Sequence, residues 1–153
     1  AYLAMTLAAF AIVILREREV EDGDQLDAFT GYGRRRPWAG VVMTLAMLSL
    51  AGFPPLAGFI GKFMLFSAAI DSDMLWLAIV GALASAVSVV YYLRVSIVMW
   101  SPAPVRDVAE RTLRVPRPVA AVAVAGGVAI IALAIWAQPV IDLCRDAGAS
   151  LLP

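Results

Sequence analysis

Residues 48–66 read LSLAGFPPLAGFIGKFMLF, and the fold turns on this stretch. It is apolar almost throughout, yet it holds two adjacent prolines, three glycines and one lysine. Pro54 and Pro55 carry no amide hydrogen, so the carbonyls of Leu50 and Ala51 lose the partners that a continuous helix would supply. Lys62 follows the break by about two helical turns. An interrupted helix and a buried cation are both unfavourable in lipid, and membrane proteins keep them mainly where ions or protons move.

The chain around this stretch has a membrane composition. Of its 153 residues, 62% are hydrophobic, and the mean hydropathy is +0.86, well above the usual apolar share of a soluble domain. Formal net charge is zero, so the total points neither toward nor away from nucleic acid. A single cysteine, Cys144, provides no disulfide framework and no metal-ligand spacing. The absence of histidine removes imidazole ligands and serine–histidine catalysis. The fold class expected is therefore all-α, a polytopic bundle of transmembrane helices forming a single membrane domain across 1–153.

Four spans are expected, at about 1–15, 38–70, 74–100 and 119–137, separated by cytoplasmic loops at 16–37 and 101–118. Residues 1–15 would form a helix of about 22 Å, short of the ~30 Å hydrocarbon core. No charged leader precedes them, so the run reads as the tail of a longer helix and the chain as a C-terminal portion of a larger protein. The charged run Arg16-Glu17-Arg18-Glu19 ends it. In the loop, Asp24 is placed to cap a short helix over 25–30, with Gly31 ending it. As one continuous helix the second span would be about 50 Å long, too long for a bilayer, so the Gly52-Phe53-Pro54-Pro55 break must divide it. Asp73 is expected to cap the third span, in which Ala78, Ala82, Ala86, Gly81, Ser85 and Ser88 recur at packing intervals. Residues 101–117 suit either a short amphipathic surface helix or a solvated loop. Gly126-Gly127 marks either a close contact or a soft point.

Because spans alternate in direction, the two arginine-rich loops share one side, against a lone Arg145 on the other. The positive-inside rule puts that side in the cytoplasm, or its organelle equivalent, and the C-terminus opposite, with a bacterial inner membrane the expected location. The triplet Arg34-Arg35-Arg36 is then a topology signal, or a site for anionic lipid or a partner. Trp38, Trp76, Trp100 and Trp136 all fall near span ends, as an interfacial belt requires.

Lys62 is the principal candidate for chemistry, the alternative being a lysine that reaches to interface water or pairs structurally. Its Cα lies about 12 Å inside the boundary at Ile70, farther than a lysine stem comfortably reaches. A charged lysine at that depth costs on the order of 3 kcal/mol. Placed between loss of water and a neighbouring carboxylate, such an amine can load and release a proton; no carboxylate lies within the spans, so any such partner belongs elsewhere. Gly58 and Gly61 leave room beside it for water or a facing helix. Gly52, Pro54 and Pro55 form the break, whose freed carbonyls can hold water or polarise the lysine, or simply permit a bend. Arg94 reads as an interfacial anchor more than a relay. Tyr91, Tyr92, Thr44, Ser49, Ser85 and Ser88 either support water chains or bond within their own helices.

The runs GYGRRRPWAGVVMTLAMLSLAGFPPLAGFIGKFMLFSAAI and WLAIVGALASAVSVVYYLRVSIVMW resemble the C-terminal part of subunit N of the proton-pumping NADH:quinone oxidoreductases (respiratory complex I), whose mitochondrial counterpart is NADH dehydrogenase subunit 2. Residues 1–100 carry the likeness, and SLAGFPPLAGFIGKF is its most specific part. Related antiporter-like subunits share the broken helix, and some place glutamate where Lys62 stands. The resemblance implies a fourteen-helix fold with two inverted five-helix repeats, of which this chain supplies the last four helices. It implies that Lys62 is the terminal lysine of a central hydrophilic axis. The glutamate–lysine pair of the first repeat and the central lysine of the second lie outside this chain. It further implies no cofactor in this chain, with NADH, flavin, iron–sulfur clusters and quinone handled by other subunits. The implied partners are further membrane subunits and the bilayer, not nucleic acid. A sodium/proton antiporter subunit and a purely structural membrane subunit are the competing readings.

Overall fold

A computed structural model describes residues 1–20, 23–54, 56–102, 117–139 and 141–142. Six α-helices occur among them: α1 (Tyr2–Glu19), α2 (Tyr32–Arg35), α3 (Pro37–Ala51), α4 (Ala57–Asp71), α5 (Leu75–Trp100) and α6 (Arg117–Ile135). A 3₁₀ turn, Leu26–Phe29, precedes α2. The stretch expected as the second span is divided, α3 ending at Ala51 and α4 starting at Ala57. Pro37 opens α3 at its first turn, where a missing amide costs nothing. By length and composition α5 and α6 are suited to crossing a membrane. The halves α3 and α4 have 15 residues each, about 22 Å apiece.

α1 packs against both α6 and α3, and α3 packs against α5. Ala8, Ile12 and Leu15 of α1 meet Met43 and Ala46 of α3 and Ala123 and Ile130 of α6 in one buried cluster. Small residues set the spacing. A β-carbon on Gly126 would stand 2.8 Å from the Ala8 methyl and 3.0 Å from the Ala4 carbonyl. Gly126-Gly127 is thus a close contact between helices. Gly81 plays the same part between α5 and Phe66 of α4, whereas Ala82 and Ala86 are exposed. Much of α5 turns large apolar side chains outward, Trp76, Leu83, Val87 and Val90 among them. Burial inside this chain therefore does not account for its hydrophobicity.

Three local expectations are corrected. α1 continues a full turn past Leu15, through Glu19, and Arg16 and Glu19 are both buried. They survive burial as a network. Arg16 Nη1 lies 3.4 Å from Glu19 Oε2, Arg36 Nη2 2.7 Å from Glu19 Oε1, and Arg16 Nε donates to the Ala28 carbonyl at 2.8 Å. The Arg16 guanidinium also stacks over Tyr32, 4.8 Å from the ring centre. Asp24 does not cap the turn; Gln25 occupies that position without a side-chain bond. Asp73 does not open α5 but closes α4. It adopts φ 58°, its amide bonds to Ile70 and that of Met74 to Ala69, the paired closure of a left-handed helix end. Aspartate tolerates that conformation better than most residues. The expected surface segment at 101–117 lies largely outside the described residues.

Arg34 and Arg36, before Pro37, hold structure. Arg34 Nε donates to the Trp100 carbonyl at the end of α5 at 2.7 Å, and Arg36 holds Glu19. Trp100 in turn donates from its indole to Thr44 at 2.9 Å. The loop before α3 is thereby strapped over the end of α5.

Candidate functional site

The break is built from two helix ends facing each other. At the end of α3 the Phe53 amide bonds to Leu48 and the Gly52 amide to Ser49, each at 3.0 Å. This closure needs a residue with positive φ after the last turn, and Gly52 supplies it at φ 85°. Pro54 follows in an exposed turn; Pro55 lies outside the described residues. A bond from the Leu56 amide to Phe53 returns the chain, and α4 starts at Ala57.

Lys62 reaches back across this gap. Its Nζ donates to the Ala51 carbonyl at 3.1 Å. That is one of the carbonyls which the prolines leave without a helical donor. It also lies at the end of α3, where the helix dipole is negative and favours a cation. Gly52 packs against the lysine stem, so that a β-carbon there would stand 3.0 Å from Lys62 Cδ. Gly58 is buried in direct contact with Ser49, and its amide donates to Ser49 Oγ at 3.2 Å. Gly61 is exposed, with nothing within 4 Å of where its β-carbon would stand.

Beside these groups lies a cleft of about 370 Å³ between α1, α3, α4 and α5. Lys62, Ser49, Gly58, Gly61, Ser88 and Tyr92 line it, together with apolar side chains from α1 and α3. It has room for water and polar groups to hold it. Ser88 bonds its own helix through the Ser85 carbonyl at 2.7 Å, as hydroxyls in membrane helices commonly do. Tyr91 and Tyr92 pack ring to ring, with centres 4.5 Å apart. Arg94 is exposed and takes no part. Of the residues singled out from the sequence, Lys62, Gly52, Gly58 and Gly61 come together here, and Pro54 borders the turn. Sequence reading placed Ser49 among general water-chain hydroxyls; its bond across the break was not foreseen. A serine nine residues before a glycine carries no local signal, because only the reversal at 52–56 brings them together.

The profile of the family described as NADH:quinone oxidoreductase/Mrp antiporter, TM, matches residues 1–88. The chain belongs to that antiporter-like membrane family. Within it, the chain is 48% identical over 99 residues to NADH-quinone oxidoreductase subunit N of Trichlorobacter lovleyi, covering 65% of this chain and 20% of the relative. It is 38% identical over 150 residues to subunit N of Heliobacterium modesticaldum, covering 98% and 31%. F(420)H(2) dehydrogenase subunit N of Methanosarcina mazei is 33% identical over 153 residues, covering 100% and 31%. The chain thus spans a third or less of the length of these curated relatives. A chain of respiratory complex I from Thermus thermophilus, solved with bound aureothin, superposes with a TM-score of 0.71 at 31% identity, over 87% of this chain and 30% of that one. The resemblance to subunit N read from the broken helix therefore holds.

Proposed function

We propose that this chain forms the part of a proton-translocating subunit of NADH:quinone oxidoreductase in which Lys62 takes up and releases the proton. The contact between Lys62 Nζ and the Ala51 carbonyl, beside a cleft that can admit water, carries this reading. The cleft supplies the proton through water. The freed carbonyl and the negative end of α3 stabilise the ammonium, and loss of that contact returns the proton to the cleft. The chain crosses the membrane four times, counting α3 and α4 together as one broken span. Its arginine-rich loops face the cytoplasm of a bacterial cell and its C-terminus lies on the other side. Redox cofactors and quinone belong to other subunits, and electron transfer there drives the changes at Lys62.

The electron donor is not specified by these residues. Relatives named for NADH and for F(420)H(2) align with nearly the whole chain. What they share here is the membrane element. The sodium/proton antiporter reading rests on the same family, but the relatives cited are dehydrogenase subunits. Lys62→Ala tests the proposal in the assembled complex. Pumping normalised to NADH oxidation is expected to fall while assembly is retained. Normal pumping with normal assembly would favour a purely structural role.

A further inference from the structure

We infer that Ser49 is a positioning residue for Lys62, holding the start of α4 so that the amine meets the Ala51 carbonyl. The inference rests on the assignment of proton transfer to Lys62. Leu56, at the N-cap of α4, makes no side-chain cap bond, so the first turn lacks a local cap. Ser49 supplies that acceptor from the other half of the broken helix, through the bond from the Gly58 amide at 3.2 Å. Its side chain is wholly buried, 0% exposed, in the last turn of α3.

Two bonds cross the break in the same sense, with the donor on α4 and the acceptor on α3. Gly58 N–H donates to the Ser49 hydroxyl, and Lys62 Nζ donates to the Ala51 carbonyl. Gly58 and Lys62 are four residues apart and share one face of α4. Fixing the first therefore fixes the second. The approach is so close that any β-carbon on Gly58 would collide with the Ser49 carbonyl. With alanine at 49 the Gly58 amide loses its side-chain acceptor in α3, and the first turn of α4 is held less firmly against Ala51.

The test uses the full complex in proteoliposomes, with Ser49→Ala, Ser49→Thr and Lys62→Ala compared for assembly, pumping per NADH oxidised, and the pH profile of pumping. Ser49→Ala is expected to assemble, to pump about five- to tenfold less, the population change one lost hydrogen bond produces, and to displace the pH profile. Ser49→Thr keeps the hydroxyl acceptor and is expected to restore both. If Ser49→Ala does not assemble, Ser49→Cys, of similar shape but a weak acceptor, is expected to show the same displaced profile. A wild-type profile in the alanine or cysteine variant overturns the inference, as does a threonine variant as impaired as alanine. Loss of pumping in Lys62→Ala with normal Ser49→Ala removes only the role of Ser49. Normal pumping in Lys62→Ala removes the Lys62 assignment, and the inference with it.

Discussion

Gly52→Ala strikes the break at its left-handed residue. At φ 85° glycine is unstrained, whereas an L-residue loses about 1–2 kcal/mol in the left-handed region. The added methyl would also stand 3.0 Å from Lys62 Cδ. The lysine stem is flexible and can yield, but yielding draws Nζ off the Ala51 carbonyl. The backbone strain alone shifts the balance between the closed break and any relaxed alternative by roughly 5- to 30-fold. The measurement is proton-gradient formation by membrane vesicles driven by NADH, normalised to NADH oxidation and to assembled complex on native gels. Gly52→Ala is expected to lower pumping per NADH by about an order of magnitude. Gly61→Ala is the matched control. Its β-carbon meets nothing within 4 Å, and alanine is favoured over glycine inside a helix by about 1 kcal/mol, so although Gly61 lines the cleft, pumping is expected to fall far less than in Gly52→Ala. Equal activity in Gly52→Ala and wild type, or equal impairment in both variants, would refute the reasoning.

Gly58→Ala drives a β-carbon into the Ser49 backbone, so native gels are expected to show little assembled complex. Glu19→Gln leaves buried Arg16 short of its carboxylate; the loss is expected to be about 3 kcal/mol, read as a lower thermal midpoint of the detergent-solubilised complex. An unchanged midpoint would show that the carboxylate's charge is dispensable. Burial, with the Glu19 carboxylate second, pushes the Tyr32 hydroxyl up to about 12 from its ordinary value near 10. Because the folded state favours the protonated phenol, this contribution to stability is complete below pH ~10 and lost as pH rises toward ~12. Tyrosinate absorbance should lose a component titrating near 12 in Tyr32→Phe, and loss of one near 10 instead would contradict the burial. Gly126→Ala forces α1 and α6 apart, and overpacking of this kind is expected to cost about 1–3 kcal/mol in thermal stability.

The break was legible because its causes are covalent. Two prolines remove donors, and a glycine permits the one left-handed residue that closes α3. That a freed carbonyl would meet the lysine was also open to sequence reasoning, since both lie within one short stretch. Contacts between distant segments were not legible. Arg16 and Glu19 read as a charged stop, because nothing local announces that Arg36, Tyr32 and the Ala28 carbonyl return to satisfy them. Asp73 misled for a different reason. Aspartate suits both the start of a helix and the left-handed residue after one, and composition alone does not choose between them.

The two helices on either side of the break are seated very differently. α3 is buried on several sides, by α1, α5 and α6, whereas within this chain only Ala57 and Gly58 of α4 are buried. The gap therefore works like a vice with one fixed jaw. The carbonyl stands on the jaw that this chain seats and the amine on the jaw that it leaves largely uncovered, so on the proposed reading a change in their separation falls to the piece that carries the lysine.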